Sequence, residues 1–246
     1  GSAAYNRGVC FLLLHHRVSD EHPLVLLANR DEDFDRPFEG PAVRDAARGI
    51  VAPRDLRAGG TWLGTNDDGL VVGITNRGNG TFEGVRSRGG LVLDALAAPG
   101  ADEAVAWARE HLATTAYAGF NLLMADRNAA WVIRHPGAAS ARPPTGGEVV
   151  RLPPGAHVLT NLHDLDEVEV PPLGRPMDGE VVDATLERLK RLSQDDTTVL
   201  PGDHRILKRG EGRGTVCAAV LSIGRDGKRA FEFADGVPGE APFQPV

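Results

Sequence analysis

The apolar pattern opens with two short continuous runs. Residues 8–15, GVCFLLLH, and residues 22–29, HPLVLLAN, are each of strand length, with the turn-like SDEHP at their joint, so they read as a hairpin. From there to about Gly60 the chain is rich in Pro, Gly and Arg and reads as loop. The stretch GGTWLGTNDDGLVVGITN, residues 59–76, predicts two short strands joined by the NDDG turn. GGLVLDALAA and ADEAVAWAREHLA read as helices, the second with Ala104, Trp107 or Ala108, and His111 or Leu112 at helical spacing. GFNLLMAD and AAWVIRH predict a hairpin around Arg127-Asn128, and residues 136–148 a Pro/Gly/Ala loop. GAHVLTNL is a further strand. GEVVDATLERLKRLSQ is the clearest amphipathic helix, with Val182, Leu186, Leu189 and Leu192 near one face. The chain closes on a hairpin that turns at Arg225-Asp226-Gly227. This order lacks the strand–helix alternation of a doubly wound sheet and fits antiparallel sheets covered by helices.

Composition narrows the class. With 246 residues, 41% of them hydrophobic and 25% charged, the chain can build a core without disulfide or metal staples. The net charge of -7 and the absence of any Lys/Arg cluster argue against a nucleic-acid partner. No apolar run approaches the roughly 18 residues of a membrane span. VCFLLL is too short for a secretory segment, and Cys10 and Cys217 have no metal-ligand spacing, so the expected compartment is cytoplasmic. Gly1-Ser2 reads as a tag remnant, residues 3–9 as a leader, and the whole of 1–246 as one domain; nothing sets the oligomeric state.

Candidate chemistry collects at strand ends. Cys10 opens the first strand; by position alone it reads as a small buried hydrophobe, and Cys217, in TVCAAV, even more so. The hairpin changes the reading of Cys10. It brings the end of the second strand, Arg30-Asp31, next to the start of the first, and a guanidinium there would favour the thiolate. The plainer alternative is a surface ion pair worth little. Asn76 and Asn161 each end a short apolar strand, as ordinary strand-terminating amides do. Converging on one point, they would form an oxyanion hole. His15 and His16 point to opposite faces of a strand and have no partners at metal-ligand spacing. RGEGRG, residues 209–214, is Gly-rich but lies outside any strand–loop–helix unit and is weak as a phosphate loop.

The run VCFLLLHHRVSDEHPLVLLANRDEDFDRP resembles the opening of the NRDE family, the transport-and-Golgi-organisation type, named for the tetrad standing here as Asn29-Arg30-Asp31-Glu32. AGGTWLG, GITNRG, RSRGGLV, GFNLLMAD and VLTN extend the likeness, in order, over nearly the whole chain. The resemblance implies an α+β fold, an αββα sandwich of the N-terminal-nucleophile hydrolase kind, with a more distant likeness to cholylglycine and penicillin V acylases. It implies Cys10 as nucleophile, with Arg30, Asp31, Asn76 and Asn161 as its catalytic neighbours. Asn29, Glu32, Trp62 and Arg213 would be substrate-binding. The ligand would be a small amide or thioester, with no cofactor and no metal. The alternative implied by the same family is a non-catalytic carrier of haem, acyl-CoA or lipid. One departure bears on mechanism. In the family Cys follows the initiator Met, whereas here Cys10 follows GSAAYNRGV, which locks in a peptide bond the α-amine that would serve as base, with a pKa of about 7.7–8.0 when free.

Overall fold

The computed structural model describes residues 10–77, 86–137 and 147–246. The expected first hairpin is β1 (Phe11–His16) and β2 (Leu24–Asp33), in register from Phe11↔Asn29 to His16↔Leu24. Next come β3 (Phe38–Asp45), β4 (Ile50–Asp55), β5 (Leu63–Thr65) and β6 (Val71–Asn76), then α1 (Arg88–Ala95) and α2 (Ala101–Leu112). They are followed by β7 (Phe120–Ala125), β8 (Ala130–His135), β9 (Glu148–Arg151), β10 (Gly155–Thr160) and α3 (Val182–Ser193). Two short strands, β11 (Val199–Leu200) and β12 (His204–Arg205), precede β13 (Arg213–Ile223), β14 (Arg229–Ala234) and β15 (Phe243–Pro245).

Two antiparallel sheets result. One has six strands in the order β10-β1-β2-β13-β14-β15, the other seven in the order β3 to β9. Alternation along each strand divides the apolar residues between faces. Leu12, Leu14, Leu26, Ala28, Ala219 and Leu221 of the first sheet meet Leu63, Leu123 and Val132 of the second in the central layer. Phe11, Leu13, Val25 and Leu27 point the other way, onto Leu186, Leu189 and Leu192 of α3. The outer face of the second sheet, with Val72, Leu122 and Met124, is covered by Leu91 and Leu96 near α1 and by Ala104 and Ala108 of α2. The layers are therefore helix, sheet, sheet, helix: the expected αββα sandwich.

The Pro/Gly/Arg-rich stretch read as loop contains β3 and β4. The strand signal is lost there because β3 is an edge strand, interrupted by irregular register between Glu39 and Ala42 and between Val43 and Asp45, and it carries Pro41, which an edge tolerates. β9, another edge strand, sits at the end of the expected loop 136–148, of which residues 138–146 lie outside the described part. The expected leader, residues 3–9, also lies outside it.

One backbone contact fixes where α1 starts. A Cβ on Gly60 would fall 2.3 Å from the Gly89 carbonyl carbon, and Thr61 N–H donates to Gly89 O at 3.1 Å. The loop before β5 thus touches the first turn of α1 with no room for a side chain. Gly60→Ala is expected to destabilise the fold by about 1–3 kcal/mol, the usual cost of forcing an extra methyl into a packed site. A urea melt showing an unchanged midpoint would disprove the contact's importance.

Candidate active site

Three neighbouring strands build the site. Phe11 pairs with Asn29 on one side and Thr160 on the other, so one step further along both antiparallel registers Cys10 lies between Arg30 of β2 and Asn161 after β10. Arg30 in turn pairs with Cys217 of β13. Residues directly opposite share a face, and this is the face that Leu12 and Ala28 present to the central layer. The side chains of Cys10 and Arg30 therefore enter the sandwich at its end, where the two sheets part around a cavity of about 350 Å³. Cys10, Arg30, Asp31, Glu32, Trp62 and Asn76 all line it.

Arg30 is held through its Nη2 and the face of its guanidinium, while its Nη1 is buried without a hydrogen-bond partner. Its Nη2 donates to Asp55 Oδ2 at 2.6 Å, Glu32 Oε2 lies 3.7 Å away, and its guanidinium stacks 4.0 Å above the Trp62 ring, with Phe38 at 5.5 Å. Asp55 comes from β4 in the other sheet. It also accepts from Arg36 Nε at 2.6 Å and from the backbone N–H groups of Arg57 and Ala58. Burial alone would raise its carboxyl pKa. The Arg36 hydrogen bond, the Ala58 N–H and the charges of Arg36 and Arg30 outweigh that and hold it below the usual carboxylate range.

This corrects the expected thiolate. The Cys10 thiol is pushed up to about 11, first by burial and next by the Asp31 carboxylate. Its hydrogen bond to the Asp31 carbonyl, at 3.7 Å, and the charge of Arg30 pull downward without prevailing. Arg30 has its charge engaged by Asp55, and a carboxylate follows it directly in sequence, so its proximity alone does not activate the sulfur.

The other predicted residues divide between the cavity and its surroundings. Asn76 ends β6 and is exposed in the cavity wall. Asn161 adjoins Cys10 across the sheet but is not among the cavity-lining residues. Asp31 takes a 2.6 Å hydrogen bond from Thr215 Oγ1. Asn29 is 2% exposed and sits on the opposite face. Its Nδ2 donates to Ser193 O at 2.9 Å and Ile206 O at 3.0 Å, closing the C-terminus of α3, so it makes no approach to the cavity. Arg213, at the start of β13, binds Asp33 at 3.1 Å and lies 3.7 Å from Glu32, behind the cavity wall. His15 faces α3 and pairs with Gly174 O at 2.7 Å. No histidine lines the cavity, and among the described residues no three His, Cys, Asp or Glu side chains gather to hold a metal ion.

Sequence reading missed Asp55, Arg36 and Arg88. Asp55 stands in a stretch without strand signal, and its role depends on the second sheet. Arg88 opens α1, lines the cavity and donates to Gly119 O at 2.9 Å. Burial lowers its pKa against the opposing pull of the nearby Cys10.

Two antiparallel sheets between helices form the sandwich of the N-terminal-nucleophile hydrolase fold. Solved structures agree. A penicillin V acylase from Agrobacterium tumefaciens superposes with a TM-score of 0.57 at 11% identity, over 92% of this chain and 83% of that one. The Caenorhabditis elegans N-acylethanolamine-hydrolyzing acid amidase ortholog gives 0.52 at 15% identity, over 86% and 92%. A mutant conjugated bile acid hydrolase from Clostridium perfringens gives 0.51 at 8% identity, over 96% and 92%. Within that fold the chain belongs to the Transport and Golgi organisation 2 family, whose sequence profile matches residues 9–211. The Transport and Golgi organization protein 2 homolog of Bos taurus is 31% identical over 149 residues, 56% of this chain, and the match spans half the length of that relative.

Two outcomes are expected from this geometry. Asp55→Ala leaves Arg30 buried without its carboxylate and should cost about 3–5 kcal/mol in a denaturant melt; a loss under about 1 kcal/mol would show that Glu32 alone can hold the guanidinium. Iodoacetamide should alkylate Cys10 ahead of Cys217, which is 1% exposed. With the thiol at about 11, the Cys10 rate should climb roughly tenfold per pH unit from 7 upward, because the thiolate fraction does. A plateau near pH 8.5, or labelling of Cys217 first, would contradict the buried-thiol geometry.

Proposed function

We propose that the protein is a cysteine amidohydrolase or acyltransferase of the N-terminal-nucleophile type, acting on a small amide or thioester. The observation that carries this is the row Asn161–Cys10–Arg30 across three adjacent strands, at the mouth of a cavity large enough for a small molecule.

The chemistry follows from the thiol. At pH 7 a pKa of about 11 leaves roughly one sulfur in ten thousand ionised, so Cys10 needs a base. The group best placed is its own α-amine, which titrates at about pH 7.7–8.0 when free. The family match opens at residue 9, one position ahead of Cys10, and in this chain the amine is freed only by removal of residues 1–9. The amine takes the thiol proton, and sulfur attacks the carbonyl carbon to form a C–S bond. The oxyanion is met by side-chain N–H groups of Asn161 and Asn76. Collapse breaks the C–N or C–S bond of the substrate, and the α-ammonium returns the proton to the leaving group. Water, or another acceptor, then attacks the thioester and releases Cys10. Arg30, fixed by Asp55, steadies negative charge on sulfur, and Arg88 adds a cation on the α1 side. The carrier reading finds one soft ligand, Cys10, and no imidazole in the cavity.

A chain beginning Met-Cys10, with the Met removed by the host, should gain activity on amides or thioesters by about 10²–10⁴-fold over the 246-residue chain, the typical contribution of a positioned base. Within that trimmed chain, Asn161→Ala should lower kcat by about 10²-fold or more, as loss of an oxyanion donor does. A demonstrably free Cys10 amine with no hydrolysis or acyl transfer across a broad amide and thioester panel would remove the enzyme reading. A haem titration giving a Soret shift abolished by Cys10→Ala would then favour the carrier.

A further inference from the structure

The start of β7 carries a polar side chain into the central layer. Phe120, Leu122 and Met124 of that strand face the helices, whereas Leu123 and Ala125 face the other sheet. Strand alternation puts Asn121 on the side of Leu123. It is 3% exposed and stands opposite Thr75 of β6.

Every polar atom of this side chain is engaged. Nδ2 donates to the Thr160 carbonyl at 2.9 Å and to Thr75 Oγ1 at 3.1 Å, and Oδ1 accepts from Arg77 Nη1 at 3.2 Å. The partners fix which way the amide points. A carbonyl only accepts and a guanidinium only donates, so a flipped amide would lose both bonds. Thr75 Oγ1 gives its own hydrogen to the same Thr160 carbonyl at 3.3 Å, and both threonines are buried. Such a network holds one geometry, because breaking any of its bonds leaves a buried polar group unpaired.

The network crosses the sandwich. Asn121 and Thr75 belong to the seven-stranded sheet, and Thr160 ends β10 of the six-stranded one. The residues that follow Thr75 and Thr160 in the chain are Asn76 and Asn161. Arg77, next after Asn76, also donates through Nη2 to Asp164, in the loop after Asn161, at 3.1 Å. Asn121 thus ties together two strand ends, one residue ahead of each asparagine, without itself lining the cavity.

We propose that Asn121 is a positioning residue: it sets the separation of the β6 and β10 ends, and with it the spacing of Asn76 and Asn161 around an oxyanion formed at Cys10. The oxyanion part rests on the reaction proposed above; the tie between the strand ends does not. Donors in such a hole act at about 2.7–3.1 Å from the oxygen they stabilise, and a displacement of about 1 Å can cost on the order of 10²-fold in rate.

The 246-residue chain tests this at alkaline pH, where part of Cys10 is ionised without any other base. Mass spectrometry of the Cys10 peptide gives two rates, acylation by p-nitrophenyl acetate and alkylation by iodoacetamide. Only acylation passes through an oxyanion, so thiol access and ionisation cancel in the ratio of the two. The parent ratio should exceed that of a free thiol such as N-acetylcysteine. Asn121→Leu should lower it by about tenfold or more. Thr75→Val, which keeps the side-chain shape, should lower it in the same direction, and Thr75→Ser should restore it. Amide hydrogen exchange at Leu162 and His163, whose N–H groups rest on Thr160 Oγ1, should also speed up in Asn121→Leu. A parent ratio equal to that of the free thiol would overturn the oxyanion role together with the reaction proposed for Cys10. A high parent ratio that both Asn121→Leu and Thr75→Val leave unchanged would overturn the positioning role alone. Unchanged exchange in Asn121→Leu would overturn the tie between the strand ends. If Asn121→Leu does not fold, the ratio in Thr75→Val against Thr75→Ser decides.

Discussion

The Arg30–Asp55 ion pair is the interaction on which the cleft depends. It joins β2 of one sheet to β4 of the other at the point where the apolar packing between them gives out. Both partners are buried, and each has further contacts that make burial tolerable: Trp62, Phe38 and Glu32 for the cation, Arg36 and two backbone N–H groups for the anion. A buried pair with good geometry and filled lone pairs can hold where an isolated charge would not. The same carboxylate orders the turn that leads to Gly60, and Gly60 abuts Gly89 at the start of α1. Sheet spacing, cavity wall and helix position are therefore coupled through one side chain.

Cys10 has an arginine beside it and yet keeps its proton. Burial does most to keep the sulfur protonated, Asp31 adds an opposing charge, and the downward pull of Arg30 does not offset the two. In the reaction proposed above, the site would orient the thiol and receive charge once it forms, and would leave proton removal to another group. A free α-amine on the same residue would meet that need without any movement of the fold.

The antiparallel topology also places two groups of side chains at opposite ends of the sandwich. Strand entry and exit points at one end supply Cys10, Arg30 and Asn76; the hairpin turns at the other supply Arg17, Arg127 and Arg225. The core of leucines and valines between them is continuous, so each end can be altered with little direct effect on the other.

Much of this was legible in the sequence. Apolar runs of strand length, turn residues between them and one strongly amphipathic helix gave the hairpins and α3, because those signals are local. The hairpin alone brought Arg30 next to Cys10, since antiparallel pairing makes strand ends adjacent whatever the rest of the chain does. Only the tertiary structure decided what lay beyond such local geometry. Asn29 and Arg30 are neighbours in one charged tetrad, but strand alternation and the docking of α3 sent the first to cap a helix and the second into the cleft. Asp55 lay in an edge region without periodicity, and its partner came from another sheet. The thiol's raised pKa likewise depends on burial and on which charges are already paired, quantities that arise only when distant segments meet.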